Sequence, residues 1–319
     1  MPLDHFVSQV HLKNFYTDRG RLVGVKKDDL KKFYAKSEDV CRRIDGSTNG
    51  YLTEPRAIEE FLKRIEPNYN MALNAIRRRE IDAGTVYVIA GFVAYVMSCS
   101  PTAMRIGTPH IAATLQSGAE MLDAHGLLPP TPEGLGGRSL SDLLDDGMVR
   151  INVDEQYPQA IGISGIEARV AIFGNALWDV MFADPAYGGF VTSDFPVALG
   201  PSYDNSVVSK TVPLASDVAI RIHPQLRERG KEPDFSFPGF RSRFRALRPQ
   251  EMREVNRELV QAAESVVFYH ADTDWLLPFV RKHRAFRVES IVTRIPSPLG
   301  GKMIVATQRV LPHARPSPA

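Results

Sequence analysis

The sequence predicts an α+β fold, in which a mainly helical N-terminal half packs on a small, mostly antiparallel sheet in the C-terminal half. Three observations favour this fold. Apolar residues recur at helical spacing between residues 53 and 125, short β-rich runs bounded by Gly and Pro become frequent after residue 188, and no internal repeat is visible. Helices followed by a separate set of strands are typical of the α+β class.

Length and composition are those of a globular protein. The chain has 319 residues, of which 44% are hydrophobic and 24% are charged. We expect a single domain over residues 1–311, with the helical half at about 1–150 and the sheet-containing half at about 151–311, and a disordered tail at 312–319. The net charge of +2 gives no electrostatic reason to expect a nucleic-acid or membrane partner.

The cysteines and the most apolar segment indicate the cellular compartment of the protein. Cys41 and Cys99 are far apart in the sequence, which favours reduced thiols in the cytoplasm over a disulfide framework. Residues 84–99 are almost entirely apolar but fall short of the roughly 20 residues that cross a bilayer, so we predict a core helix there, with membrane insertion as the minor alternative. The first five residues do not resemble a signal segment, and we expect no membrane partner.

Most of the first half is predicted to be helical. One helix is expected to begin near Thr53, because Thr53 can cap it and Pro55 is tolerated in a first turn, and Pro67 is expected to end it. The predicted helices of this half are residues 5–15, 53–66, 71–80, 84–99, 109–125 and 140–149. A short strand is expected at 21–26, and irregular chain at 37–51 and 127–137.

The second half is predicted to mix helices and strands. The predicted helices are residues 166–182, which include Trp178, 249–264, which include Asn256, and 274–283. The predicted strands are residues 190–199, 210–222, 266–269, 285–294 and 302–311, and the last two form a hairpin joined by the Pro- and Gly-rich residues 296–301. Residues 233–245 combine aromatic and basic side chains and are expected to form a long surface loop.

The chain is organised around residues 189–199, where the polar triplet Thr192-Ser193-Asp194 interrupts an apolar strand. Burial of two hydroxyls and a carboxylate is costly unless each group forms hydrogen bonds, and Pro196 cannot donate to a sheet. Two interpretations stay open at this point. The triplet presents its side chains to a cleft, or it fixes a turn.

Several landmarks occur in the order and spacing of a known family. They are His5, Val7, Gln9, Leu12 and Phe15 in the opening segment, Glu59 and Glu66 in a predicted helix, Trp178, the run Phe190 to Pro196, Pro213-Leu214, and Asn256. Together they resemble, along nearly the whole chain, the bacterial and fungal family known as domain of unknown function 4238. The order and spacing make the resemblance fairly specific, whereas each motif alone would be weak.

The resemblance implies a fold and a set of site residues but no established activity. Ser8 stands where the family usually has proline, and Phe195 stands where it usually has asparagine. Relatives often have an arginine before a proline after the apolar helix, whereas this chain has Ser98-Cys99-Ser100-Pro101. If that arginine binds an anion in relatives, the contact is missing here.

The first functional hypothesis is a metal-assisted hydrolase resembling a phosphodiesterase or nuclease. The imidazole and carboxylates of His5, Glu59, Glu66 and Asp194 would bind Mg or Mn, and the metal would activate a water. The predicted catalytic residues are His5, Gln9, Thr192, Ser193 and Asp194, and the predicted substrate contacts are Asn256 and Trp178. No compact metal-ligand motif accompanies them, and both glutamates also fit a solvated helix face.

The second hypothesis is a non-catalytic binding or sensing module, for example in a defence or stress pathway. His5, Gln9 and the Thr192-Ser193-Asp194 triplet would then form a buried polar network that joins the helical half to the sheet. The ligand would be a small molecule, or nucleic acid bound by the basic residues 241–248, although short basic runs usually face solvent.

Nucleophilic catalysis ranks last among the hypotheses. Ser193 would be the nucleophile with His5 as its base, but the glycine elbow expected around such a serine is absent. Cys99 is also disfavoured as a nucleophile, because its apolar neighbours would raise the pKa of the thiol.

Overall fold

The computed structural model describes residues 2–129, 131–203, 207–225, 232–296 and 302–314. The chain has an α+β fold, as predicted from the sequence. Parts of three predictions lie outside the described residues: residue 130 of the irregular segment 127–137, the hairpin loop at 297–301 and the end of the tail at 315–319.

The N-terminal region contains short strands and one short helix instead of the predicted helix at 5–15. Its elements are β1 (Leu3–His5), α1 (Gln9–Lys13), β2 (Leu22–Lys26), β3 (Lys32–Ala35) and β4 (Arg42–Ile44). His5 pairs with Arg42 in an antiparallel ladder. The predicted helix at 5–15 is therefore wrong at His5, which lies in β1, whereas the predicted strand at 21–26 is confirmed as β2.

The next part of the chain is helical, as predicted. Its helices are α2 (Ala57–Ile65), α3 (Tyr69–Arg78), α4 (Ala83–Cys99), α5 (Pro101–Ala124), α6 (Leu140–Asp145), α7 (Tyr157–Ser164) and α8 (Ile166–Gly174). Two predicted starts are wrong. Arg56, not Thr53, precedes α2. Helix α5 begins at Pro101, where Ser100 Oγ accepts a hydrogen bond from the Ala103 N–H at 3.1 Å, so Pro109 lies inside the helix.

The last part of the chain contributes most of the strands. Its elements are β5 (Leu177–Phe182), β6 (Thr192–Ser193), β7 (Ala198–Pro201), β8 (Val208–Pro213), β9 (Val218–His223), β10 (Arg241–Ala246), α9 (Pro249–Ala262), β11 (Val266–Tyr269), α10 (Leu276–His283), β12 (Phe286–Pro296) and β13 (Lys302–Pro312). Strands β12 and β13 form the predicted hairpin, and Pro312 pairs with Phe286 at its end, where a disordered tail was expected.

Two segments differ in type from the prediction. The predicted helix 166–182 ends at Gly174, and Trp178 lies in β5. The prediction was wrong because periodicity cannot distinguish an apolar strand that is buried on both faces from a buried helix. The predicted loop 233–245 contains β10, which pairs in parallel with β5. Its residues Arg241, Arg243 and Arg245 are exposed, and charged side chains on such an edge strand discourage pairing with other chains.

Of the two main sheets, the smaller combines strands from both halves of the chain, whereas the larger is built from strands between residues 177 and 246. The larger has the order β10-β5-β9-β8-β7, and the smaller is the antiparallel sheet β3-β2-β11-β6. Strands β2 and β3 come from the first half, so the sheet is not confined to the C-terminal half, where it was predicted; in the first half only the short strand at 21–26 was expected. The segment 190–199 also divides between the sheets, with β6 in the smaller sheet and β7 in the larger.

Helix α4 is the centre of the hydrophobic core. It is buried along most of its length and contacts α2, α3, α7 and α8. Helix α7 comes close to it at Gly162, where an added Cβ would lie 2.9 Å from Ser98 Cβ. Among the described residues, no single helix combines the length and hydropathy needed to cross a membrane. The segments 57–78 and 83–99 meet both criteria only when they are taken together, and the chain bends by 118° between them.

Candidate functional site

The structure places His5 and Asp194, two of the predicted catalytic residues, in different surroundings. His5 lines a cavity of about 10 Å³ with Asp4, Tyr95 and Cys99, which is room for about one water. Its Nε2 atom is buried and has no hydrogen-bond partner among the described residues. Asp194 does not line that cavity, and the described residues show no contact between the two side chains.

Asp194 instead binds the backbone at the end of α9. Its Oδ1 accepts a hydrogen bond from the Glu264 N–H at 3.0 Å and its Oδ2 accepts one from the Ser265 N–H at 2.8 Å. Burial raises the pKa of this carboxyl to about 6, against the opposing effects of the backbone donors and Lys27. Of the two interpretations of the triplet, these contacts match the one in which it fixes a turn.

The predicted metal ligands are engaged elsewhere or lie apart. Glu59 forms an ion pair with Arg56 at 3.3 Å, and Glu66 opens a short 3₁₀-helix after α2. Within the described ranges, no group of three or more His, Cys, Asp or Glu side chains is placed to hold a metal ion. His5, Glu59, Glu66 and Asp194 therefore do not form such a group there.

Thr192 belongs to a buried polar network whose histidine is His11. His11 Nδ1 lies 2.9 Å from the Tyr69 hydroxyl, and His11 Nε2 lies 2.9 Å from Thr192 Oγ1. The Tyr69 hydroxyl donates to the Leu214 carbonyl at 2.9 Å, so it accepts from a protonated Nδ1, and Nε2 accepts from Thr192. This assigns a neutral Nδ1–H tautomer, consistent with burial, which lowers the pKa of His11 to about 3.

Of the residues predicted to form a polar join, only Thr192 belongs to this network, and the histidine of the network is His11 and not His5. All three side chains, His11, Tyr69 and Thr192, have no exposed surface. The His11 ring also stacks on Phe92, with centroids 4.6 Å apart. A signal for His11 was present in the sequence, because Val7, His11 and Phe15 recur every four residues and so point to one buried side.

Gln9 and Ser193 make short-range structural contacts. Gln9 Oε1 accepts a hydrogen bond from the Ser37 hydroxyl at 3.2 Å, which connects α1 to the segment before β4. Ser193 is buried, and its Oγ accepts from the Phe195 N–H at 3.2 Å. Neither contact leaves a side chain arranged for proton transfer to a substrate.

The two predicted substrate contacts are satisfied by the backbone. Trp178 is fully buried, and its indole N–H donates to the Phe173 carbonyl at 2.7 Å. Asn256 accepts from the Val191 N–H at 3.0 Å and donates to the Gly189 carbonyl at 3.0 Å. Asn256 therefore holds the segment that leads into β6, as a neighbouring strand would.

A large cavity lies elsewhere, between α5, α7, α8, β8 and the β12–β13 hairpin. Its volume is about 640 Å³, within the range of small-molecule sites. Residues three or four positions apart on each helix face it, which is the spacing of one helical side. On α8 these residues are Arg169, Ile172 and Phe173. Sequence reasoning missed this site.

Two cations line this cavity, which we call the Arg169–Lys210 cavity. Arg169 donates hydrogen bonds to the Met97 carbonyl at 3.2 Å and to Ser98 Oγ. Lys210 Nζ donates to the Val208 carbonyl at 2.5 Å and lies 5.7 Å from the centre of the Phe173 ring. Their hydrogen bonds thus go to neutral acceptors.

The charge of these two side chains is not balanced within the described part of the chain. No Asp or Glu there lines the cavity, and the hydrogen bonds that Arg169 and Lys210 form with described residues go to two carbonyls and one hydroxyl. Burial, together with the smaller effect of the nearby charge of Arg169, lowers the pKa of Lys210 to about 8. Burial also lowers the pKa of Arg169. The cavity is therefore electropositive and suited to an anion.

Cys99 is not a reactive thiol in this structure. It is buried, and burial raises the pKa of its thiol well above the usual range. The other cysteine, Cys41, is also free and buried, with its pKa raised by the same cause.

Comparison with known proteins gives one match. A family model described as a protein of unknown function (DUF4238) matches residues 4–273. No curated protein and no solved structure matches the chain.

Proposed function

This chain belongs to the DUF4238 family of proteins of unknown function, and we propose that it binds a small anionic molecule in the Arg169–Lys210 cavity. The single observation that carries the proposal is the presence of two cations in one cavity without a carboxylate from the described residues. This function is a form of the binding or sensing module that the sequence suggested.

Electrostatics supports an anionic ligand. Burying part of a cation without a counter-charge costs free energy, because the surrounding protein solvates the charge less well than water does. A bound carboxylate or phosphate would offset this cost at both Arg169 and Lys210. Arg169 suits such a group because its planar guanidinium can donate two parallel hydrogen bonds to it.

The rest of the lining supports an apolar body on the ligand. Ile106, Pro158, Ile172 and Phe173 contribute apolar surface, whereas polar side chains such as Ser290 and Thr307 come from the hairpin. A mostly apolar pocket with a few fixed polar groups is typical of sites for small organic molecules. The ligand class is therefore a compact molecule with one anionic group and an aromatic or aliphatic part.

Calorimetric titration with phenyl phosphate tests the proposal, with uncharged benzyl alcohol as the matched ligand. We expect phenyl phosphate to bind and benzyl alcohol to bind at least tenfold more weakly. Arg169→Met should weaken phenyl phosphate binding by tenfold or more, since one charge-assisted contact is lost. Lys63→Met is the control, because Lys63 is exposed on α2 and pairs with Glu60. Equal affinity of the two ligands, or of both variants, would overturn the proposal.

Metal-assisted hydrolysis stays a prediction, together with nucleic-acid binding by residues 241–248, a cytoplasmic location and a role in defence or stress. A metal that binds the folded chain would raise the melting temperature. A rise with Mn or Mg that Asp194→Asn removes and Glu60→Gln preserves would support a metal site at Asp194. An unchanged melting temperature in the wild-type chain would count against it.

A further inference from the structure

We propose that Lys210 is a nucleophilic amine, which forms a Schiff base with the aldehyde or ketone carbonyl of an anionic ligand in the Arg169–Lys210 cavity. This inference rests on the proposed function, since the anionic group is what would bring the carbonyl to the amine. It adds a covalent step and a second requirement on the ligand.

The position of Lys210 suits an attack on a bound ligand. Its side chain lines the cavity and is held on one side by the hydrogen bond to the Val208 carbonyl and by the Phe173 ring. A neutral amine that donates one hydrogen to that carbonyl keeps its lone pair for another partner. The contacts thus restrain the amine without consuming it.

The charges around Lys210 favour the neutral amine. In the described part of the lining, the other titratable side chains are Arg169 on α8 and His110 on α5, and neither is an acid that would stabilise an ammonium group. With the pKa of Lys210 at about 8, about a tenth of the side chain is neutral at pH 7. This is about 300 times the fraction in an ordinary lysine. A desolvated lysine beside a second cation is a known arrangement for Schiff-base chemistry.

The proposed step balances without an oxidant or reductant. The nitrogen lone pair attacks the carbonyl carbon, and the π electrons of the C=O bond move to oxygen, which gains the proton that nitrogen loses. The resulting carbinolamine then loses its hydroxyl group together with the remaining hydrogen on nitrogen as water, and the nitrogen lone pair forms the C=N bond. Arg169 remains charged throughout and holds the anionic group of the ligand.

Reductive trapping with pyridoxal 5′-phosphate tests the step, because this probe has both an aldehyde and a phosphate. The full chain is treated with less than one equivalent of the probe and then with borohydride, and the labelled lysines are located by peptide mass spectrometry. We expect Lys210 to be labelled at least tenfold faster than exposed lysines such as Lys63. Pyridoxal, which lacks the phosphate, should lose most of this preference, as should the Arg169→Met variant.

Phenyl phosphate separates the two proposals, because it has no carbonyl group and therefore reports on anion binding alone. Lys210→Arg is the control for the site of the adduct, since no labelled residue should be found at position 210. If wild-type Lys210 is labelled no faster than Lys63 while phenyl phosphate binds, the Schiff-base inference fails and the binding cavity stands. If phenyl phosphate also fails to bind, both proposals fail. The wild-type labelling pattern decides the inference even if the variant does not fold.

Discussion

His11 Nε2 lies 2.9 Å from Thr192 Oγ1, although the two residues are 181 positions apart in the chain. This hydrogen bond connects α1 to β6, and through Tyr69 it reaches α3 and the backbone at Leu214. The polar centre of the fold is thus a structural join made from four distant segments. It accounts for a buried hydroxyl at Thr192, the first residue of β6.

Thr192→Val should destabilise the fold by about 1–3 kcal/mol, because it leaves His11 Nε2 buried without its donor. Urea unfolding monitored by circular dichroism measures the change. Thr114→Val is the matched control: Thr114 is exposed on α5, and its hydroxyl bonds to the His110 carbonyl of the same helix. We expect the control to change stability by no more than about 0.5 kcal/mol. Equal effects of the two variants would contradict the structural role of the network.

The buried His11 should make stability fall in acid. Its pKa drops from 6.5 to about 3 on folding, so the unfolded chain binds the proton more readily and folding loses free energy as the pH falls from about 6.5 towards 3. The wild type should therefore lose about 2 kcal/mol of its advantage over His11→Gln between pH 7.5 and pH 5. Denaturant titrations at both pH values measure it. A stability gap that does not depend on pH would mean that His11 is protonated equally in both states.

Asp194 should act in the opposite direction. Its pKa rises from 3.8 to about 6 on folding, so the folded state binds the proton more readily and gains stability as the pH falls from about 6 towards 3.8. Relative to Asp194→Asn, the wild type should gain about 1 kcal/mol between pH 7 and pH 5. The same unfolding measurements decide the sign. A loss of relative stability in that interval would show that the carboxylate, not the acid, is favoured by its surroundings.

Lys27→Met should be strongly destabilising. Lys27 is completely buried, and its Nζ donates to the carbonyls of Val260, Ala263 and Phe286 at 2.7, 2.5 and 2.9 Å. Removing the ammonium leaves carbonyls at the end of α9 without their donor, at a cost of about 3 kcal/mol or more.

Lys26→Met provides the control for this variant, since Lys26 is the neighbouring residue on β2 and is exposed. Thermal and urea unfolding of both variants should show a large loss for Lys27→Met and almost none for Lys26→Met. Comparable losses would indicate that the effect comes from the strand and not from the buried ammonium group.

The sequence by itself determined the features that depend on neighbouring residues. The α+β class, the apolar helix α4, the β12–β13 hairpin and membership of the family all follow from periodicity, turn residues and the order of short motifs. It also identified Thr192-Ser193-Asp194 as a polar group that needs partners, because unpaired polar groups are costly in a core. These properties can be predicted from the sequence because they depend mainly on residues that are close together in the chain.

Only the tertiary structure decided which partners those residues have. Thr192 bonds to His11 and not His5, Asp194 binds the backbone at residues 264 and 265, and residues 177–182 form a strand because β9 and β10 flank them. Packing of α8 near β8 likewise places Arg169 and Lys210 in the lining of one cavity. Contacts between distant segments depend on how helices and sheets pack, and local spacing carries no information about that packing.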